Sequence, residues 1–221
     1  MNKRRQRIML LVLILIIAGF VALSVLVIAY PEMALDIRLS KDIQQHQNPF
    51  IDGVMLLIST PGYMPESVII VPVTALLFFL FKYKKAAGFI LLTGVSGLIS
   101  TIVKALINRP RPSDGLVRVI LKTTQQSFPS GHVLFYVAFF GLLIVLMLQL
   151  EGISKWIKYP VLFISLFLIL SIPISRIYMG AHWFTDVLGG FMLGILYLYL
   201  LSWLYLRKPA DKQEAPVAET K

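Results

Sequence analysis

The sequence predicts an all-α integral membrane bundle of six transmembrane helices, with an active site at the outer membrane–water interface. Three observations predict it. First, 57% of the 221 residues are hydrophobic and only 14% are charged, with a mean hydropathy of +0.80. Soluble domains carry about 25% charged residues, and disordered chains have low hydrophobicity. Second, charged residues divide the chain into six long apolar windows, and about 20 apolar residues cross a bilayer core. The windows are continuous rather than alternating, so in lipid they read as helices and not as a barrel. Third, most polar side chains suited to chemistry fall at window ends on one face.

The first span, about residues 8–30, follows the basic start Met1-Asn-Lys-Arg-Arg-Gln-Arg7. Its apolar run is too long for a signal peptide and no small-x-small cleavage site follows, so a retained span is expected. Residues 31–65 are too polar to span. Within them Leu35, Leu39 and Ile43 recur at helical spacing, which predicts a short amphipathic helix over Met33–Ile43 in the interface. The second span, about 64–83, is built on the window between Glu66 and Lys82. The third covers about 86–107, the fourth 132–150, the fifth 158–177 and the sixth 185–206. The loop 108–131 is long and polar, and the loop 176–186 is short. Residues 1–208 thus form one membrane domain, and the charged Pro/Ala-containing tail 209–221 is expected to be a disordered cytoplasmic tail.

The net charge is +10, from 21 Lys and Arg against 11 Asp and Glu. Six spans put both termini and two loops on one side. That side holds thirteen cations, at Lys3, Arg4, Arg5, Arg7, Lys82, Lys84, Lys85, Lys155, Lys158, Arg207, Lys208, Lys212 and Lys221. The other side holds eight. The positive-inside rule then places both termini in the cytoplasm of a multi-pass cell-membrane protein, with the opposite face extracytoplasmic. Topology anchoring accounts for the thirteen, so no nucleic-acid partner is expected. The chain has no cysteine, which excludes disulfides, zinc-thiolate sites and cysteine nucleophiles.

Four ionisable residues gather at outer span ends: Lys104, His132, Arg176 and His182. Ionisable groups at membrane depth are costly and mark function, although a single Lys or Arg there also snorkels to the interface. Ser127-Phe-Pro-Ser-Gly-His132 precedes an apolar helix. Ser130 and Gly131 there serve either as a plain helix cap or as an anion site at the helix N-terminus. His182 and Asp186 are spaced i, i+4 at the start of the sixth helix. The carboxylate can fix the imidazole tautomer and leave the other ring nitrogen as nucleophile, but such a pair alone is more often a structural hydrogen bond. Gly189, Gly190 and Gly194 beyond it read as close-packing positions. In Asn108-Arg-Pro-Arg-Pro112, Arg109 and Arg111 read as phosphate ligands, as solvated loop cations or as contacts to anionic headgroups.

Three segments together resemble the type 2 phosphatidic acid phosphatase, or lipid phosphate phosphatase, superfamily. They are Lys104-x6-Arg111-Pro112, Pro129-Ser130-Gly131-His132 and Ser175-Arg176-x5-His182-x3-Asp186. All eleven fixed positions of the family signature match, in order. The likeness is to its bacterial phosphatidylglycerophosphate and undecaprenyl diphosphate phosphatase branch. The resemblance implies a metal-independent phosphatase with no cofactor, acting on a membrane lipid phosphate or diphosphate. The implied substrates are undecaprenyl diphosphate, phosphatidylglycerophosphate and phosphatidic acid. By the same resemblance His182 attacks phosphorus, His132 is the acid and base, and Asp186 orients His182. Lys104, Arg111, Ser130, Gly131 and Arg176 hold the phosphate, and Arg109 becomes a helper. The lipid bilayer is an implied partner and no obligate protein partner is evident. A lipid phosphotransferase would carry the same motifs, whereas a non-catalytic transporter on this scaffold would show degenerate ones.

Overall fold

A computed structural model describes residues 3–207 of the chain. The tail expected over 209–221 lies outside the described residues. Within them the protein is helical throughout and has no strand: α1 (Lys3–Ala29), α2 (Ala34–Ile43), α3 (Pro49–Ser59), α4 (Met64–Leu80), α5 (Lys84–Leu92), α6 (Val95–Ile107), α7 (Gly131–Gln149), α8 (Lys155–Tyr178) and α9 (Phe184–Leu206). A 3-10 turn, Thr60–Gly62, joins α3 to α4. The all-α membrane architecture expected from the sequence is the one observed.

Five stretches are long and apolar enough to cross a bilayer: α1, the α5–α6 pair, α7, α8 and α9. α1 buries only Leu23, Ser24 and Val27 and exposes most of its aliphatic side chains, as suits a helix whose solvent is lipid. The expected second span, 64–83, is shorter and differently connected. α4 ends at Leu80 and has 17 residues, about 25 Å at 1.5 Å per residue. It is bent by 55° from Pro49–Gly62, and the two together make the sixth candidate span. Pro61 and Pro65 explain the bend: each lacks an N–H and restricts the residue before it, so one helix stops and another restarts. α4 runs the length of the bundle. Met64 borders the cavity described below, and Tyr83 beyond the far end donates to the Glu151 carbonyl at 3.1 Å.

The expected third span is two helices, broken at Thr93-Gly94. α4 packs against α5, and the space between α4 and α6 is left for a cavity. α7 is the axis of the bundle and packs against α8 and α9. Its Phe135, Tyr136, Phe139 and Phe140 stack on one another with ring centroids 5.0 to 6.1 Å apart. α9 approaches α7 through glycine. A Cβ on Gly194 would lie 2.7 Å from Cβ of Val137, and one on Gly190 2.6 Å from the Ser130 carbonyl oxygen. Those glycines are close-packing positions, as expected.

The interfacial helix forms as α2 but presents a different face. Leu35 is exposed, whereas Asp36 and Ser40 are the residues it buries. The polar side faces the bundle because a buried cation waits there, as the site shows. α3 has no counterpart in the sequence reading, since its 11 residues are too few to register as a span. Asn48 caps it by accepting from the Ile51 N–H at 2.8 Å, and Pro49 opens it. α2, α3 and the 108–130 loop are stitched together over one end of the bundle. The Gln44 amide bonds the Arg118 and Tyr178 carbonyls, each at 2.8 Å. Arg118 forks onto Asp52 of α3 at 2.9 and 2.7 Å, and the Tyr178 hydroxyl donates to the same carboxylate.

Candidate active site

The site is assembled from helix ends. α6 stops at Asn108, whose φ of 51° is the left-handed cap conformation and whose N–H bonds the Lys104 carbonyl at 2.9 Å. That turn sends Arg109 inward. Arg109 Nη2 meets Asp36 Oδ2 at 2.8 Å, and Nη1 meets Asp186 Oδ1 at 2.6 Å and Thr185 Oγ1 at 2.7 Å. Its Nε and Nη2 both bond the Pro31 carbonyl, at 3.0 and 2.8 Å. All five guanidinium N–H donors are therefore used. The Arg109 and both Asp side chains are fully buried. Rather than a solvated loop cation, Arg109 is the centre of an ion network that ties α2 to α9.

A cavity of about 580 Å³ lies between α4 and α6. Six of the eight expected site residues line it: Lys104, Arg111, Gly131, His132, Arg176 and His182. Ser130 and Asp186 sit immediately behind. His182 is 2% exposed and lies in the turn between α8 and α9, not on the sixth span, because α9 begins only at Phe184. Its Nε2 faces Arg111 Nη1 at 3.4 Å. Its Nδ1 faces Asp186 Oδ2 at 3.6 Å, too long for a hydrogen bond. Asp186 Oδ2 instead accepts from the Trp183 N–H at 2.8 Å and from the Ser127 hydroxyl. At the third position of α9, Asp186 thus satisfies an orphan N–H of the helix start and makes no hydrogen bond to His182.

Ser130 is the N-cap residue of α7, but its side chain caps nothing. Its hydroxyl has no protein partner, and its N–H bonds the Asp186 carbonyl at 2.9 Å. His132 Nε2 also has no partner, and the ring stands edge-on to Tyr63 with centroids 4.8 Å apart. Lys104 Nζ donates to the Gln126 carbonyl at 2.5 Å. Arg111 is held by the Gln125 and Ala181 carbonyls, both at 2.6 Å. Arg176 donates from Nη1 to Ser59 Oγ at 3.1 Å and to the Tyr63 hydroxyl at 3.3 Å, while its Nε has no partner.

The cations shape the chemistry of the loop groups. Burial, reinforced by Arg111, Lys104 and Arg176, holds the His182 imidazole well below its ordinary pKa of 6.5. Burial beside Arg176 brings Arg111 down to about 10, so it keeps its charge near neutral pH. The arrangement gathers the His182 ring and the Lys104, Arg111 and Arg176 side chains on one cavity, a set whose chemistry can hold a tetrahedral anion. Among the described residues no three His, Cys, Asp or Glu are grouped to hold a metal.

Four residues of this end escaped the sequence reading: Asp36, Ser59, Tyr63 and Ser127. Asp36 and Ser40, four apart on α2, form a polar stripe that signals a buried polar face. Nothing local signals Ser59 or Tyr63, whose partner Arg176 is more than a hundred positions away.

The model of the PAP2 superfamily matches residues 85–210, more than half of the chain. The chain belongs to the PAP2 superfamily. The three PAP2 motif segments, Lys104 to Asp186, all fall in the matched range, whereas α2 with Asp36 precedes it. The chain is 30% identical over 169 residues to phosphatidylglycerophosphatase B of Bacillus subtilis, covering 76% of this chain and 81% of that one. It is 27% identical over 184 residues to an undecaprenyl-diphosphatase of Sulfolobus acidocaldarius, covering 81% and 82%. Its fold is similar to the crystal structure of a transmembrane PAP2-type phosphatidylglycerolphosphate phosphatase from Bacillus subtilis. The TM-score is 0.76 at 25% identity, over 87% of this chain and 94% of that one. The PAP2 membership read from the motifs and the multi-pass membrane fold both stand.

Proposed function

We propose that this protein removes phosphate from a membrane lipid phosphate or diphosphate through a phosphohistidine on His182, without a metal. One observation carries the reading: Lys104, Arg111 and Arg176 converge with His132 and His182 on one cavity between α4 and α6. Phosphoryl transfer needs positioning and positive charge around the equatorial oxygens above all. The three cations and the Ser130-Gly131 helix start supply both. His182 Nε2 attacks phosphorus while His132 delivers a proton to the leaving oxygen and the P–O bond breaks. Water then attacks the phosphohistidine, His132 takes its proton, and the P–N bond breaks to release inorganic phosphate. Asp186 offsets the charge that His182 gains.

A lipid enters from the side. Val68 of α4 and Leu91 of α5, both lining the cavity, are 61% and 53% exposed. Substrates with a phosphate head and an apolar tail fit this mouth. Undecaprenyl diphosphate and phosphatidylglycerophosphate are the ones the relatives' names point to, with phosphatidic acid a smaller member of the class. The excess of cations on the termini side supports a site on the extracytoplasmic face of the cell membrane.

The test is a panel assay. Purified protein in detergent is offered polyprenyl diphosphate, phosphatidylglycerophosphate, phosphatidic acid and a water-soluble phosphate ester, with chelator present. Release of phosphate from a lipid, unaffected by chelator and absent in His182→Ala, is expected. Wild-type turnover by His182→Ala would remove the nucleophile, and loss of activity to chelator would remove the metal-free mechanism.

A further inference from the structure

Hydroxyl side chains on the membrane helices divide into those bonded within their own helix and those with no partner, and of the latter Ser202 on α9 lies away from the cavity. Ser24, Thr101 and Ser171 each donate to the carbonyl four residues earlier, at 2.8, 2.9 and 2.7 Å. This is how a helix in lipid ordinarily hides a hydroxyl. Ser96 and Ser100 do not. They are 1% and 4% exposed, and neither hydroxyl has any partner in the protein. For Ser96 the carbonyl four residues back, on Leu92, already accepts from the Tyr197 hydroxyl at 2.6 Å.

Both serines line the cavity, on the same face of α6 as Lys104. The spacing i, i+4, i+8 makes a ladder that leads from the cation cluster toward the bilayer centre, about 6 Å per step. The top rung adjoins the anion end of α7, since a Cβ on Gly131 would lie 2.9 Å from Ser100 Oγ. The lower rung, Ser96, is one turn deeper, in the direction a lipid tail must run. The facing wall of α4 is apolar there, with Val68, Val71 and Pro72.

We propose that Ser96 and Ser100 form a subsite for the glycerol-linked oxygens that follow the scissile phosphate in a glycerophospholipid. It rests on the lipid phosphatase reading above and deepens it by naming the substrate class. In a glycerol-based lipid phosphate, a hydroxyl, phosphodiester or carboxylic ester oxygen lies within a helical turn of the scissile phosphorus. It can pair with a hydroxyl waiting at that depth. In a polyprenyl diphosphate the oxygens end with the second phosphate and hydrocarbon follows, so Ser96 stays unpaired beneath it. An unmet buried hydroxyl is unfavourable, so the ladder favours the glycerolipid.

The experiment compares wild type, Ser96→Ala, Ser96→Ala/Ser100→Ala and Ser171→Ala in mixed micelles. Each is offered phosphatidylglycerophosphate, phosphatidic acid and a polyprenyl diphosphate, and kcat/KM is measured. The wild type is expected to favour the glycerolipids. Ser96→Ala is expected to shift the glycerolipid-to-polyprenyl ratio about tenfold toward the polyprenyl substrate, the scale of one hydrogen bond. The double variant should shift it further, and Ser171→Ala, whose hydroxyl is satisfied within its own helix, should not shift it. The two glycerolipid arms tell whether the headgroup or the acyl-ester oxygens are read. Both serine variants should melt no lower than wild type, because they remove hydroxyls that bond nothing. An unchanged ratio in both variants overturns the subsite. Failure of wild type on all three lipids overturns the lipid phosphatase reading instead.

Discussion

Replacing Asp36 with alanine removes a carboxylate that lies outside the family motifs and does not touch the cavity. It takes three contacts away: the 2.8 Å pair with Arg109 Nη2, and the bonds from Thr185 N and Oγ1 at 3.0 and 2.7 Å. The Arg109 charge is then left buried with Asp186 as its one carboxylate. Removing one partner of a buried ion pair costs about 3–5 kcal/mol. For a chain of this length that corresponds to a fall in Tm of roughly 10 °C. The asparagine variant keeps an acceptor for Thr185 and loses only the charged part, so it should cost about 1–2 kcal/mol. Activity should also fall, about 10- to 100-fold in the alanine variant, because Arg109 then draws on Asp186 alone and shifts the carboxylate behind His182. Thermal unfolding in detergent and phosphate release are the two assays. If both variants melt within a degree of wild type, or if asparagine is the more damaging, the network does not join α2 to the site as argued.

Burial and three cations hold the His182 pKa below 6.5, and the proposed reaction uses its neutral form as the nucleophile. Activity should therefore fall only as pH drops through that depressed value, leaving the acid limb of kcat/KM below pH 6.5. Removing a cation favours the protonated ring, so Arg111→Ala should move that limb to higher pH; a limb that stays or moves down refutes the assignment. Gly131→Ala puts a methyl 2.9 Å from Ser100 Oγ, at the anion end of α7. Turnover should drop about tenfold or more while Tm holds, since alanine suits a helix better than glycine; retained turnover would mean that no anion docks there. His132→Ala should slow alkyl phosphate monoesters more than diphosphates, whose leaving group needs less protonation, and equal slowing would argue against His132 as the acid.

The sequence made legible whatever is encoded locally. The apolar windows became helices because each run suits lipid by itself. Lys104, His132, Arg176 and His182 line one cavity because each stands at or next to a helix end whose position the windows define, and Arg111 joins them from the loop after α6. Pairing across distance was not legible. Asp36 and Arg109 are 73 positions apart, and Leu35 and Leu39 gave the more visible pattern on α2. Cap chemistry also misled. Ser130 looks like a helix cap and its side chain caps nothing, while α9 has Trp183 and no small polar residue at its N-cap position and is satisfied by Asp186 from inside the helix. His182 therefore precedes the helix instead of opening it. The bend at Thr60–Gly62 has a local signal in Pro61 and Pro65, but the polar character of 31–65 masks that α3 and α4 form a bent pair.

The stitched cover of α2, α3 and the 108–130 loop lies over the same end of the bundle as the site, and the cavity's walls open on the flank. By the proposed side entry a lipid phosphate would arrive by two-dimensional diffusion within one leaflet, and bulk molarity would be the wrong variable. The rate should follow the mole fraction of lipid phosphate in the surface. Adding inert detergent at fixed total substrate should slow the protein as if it were a competitor.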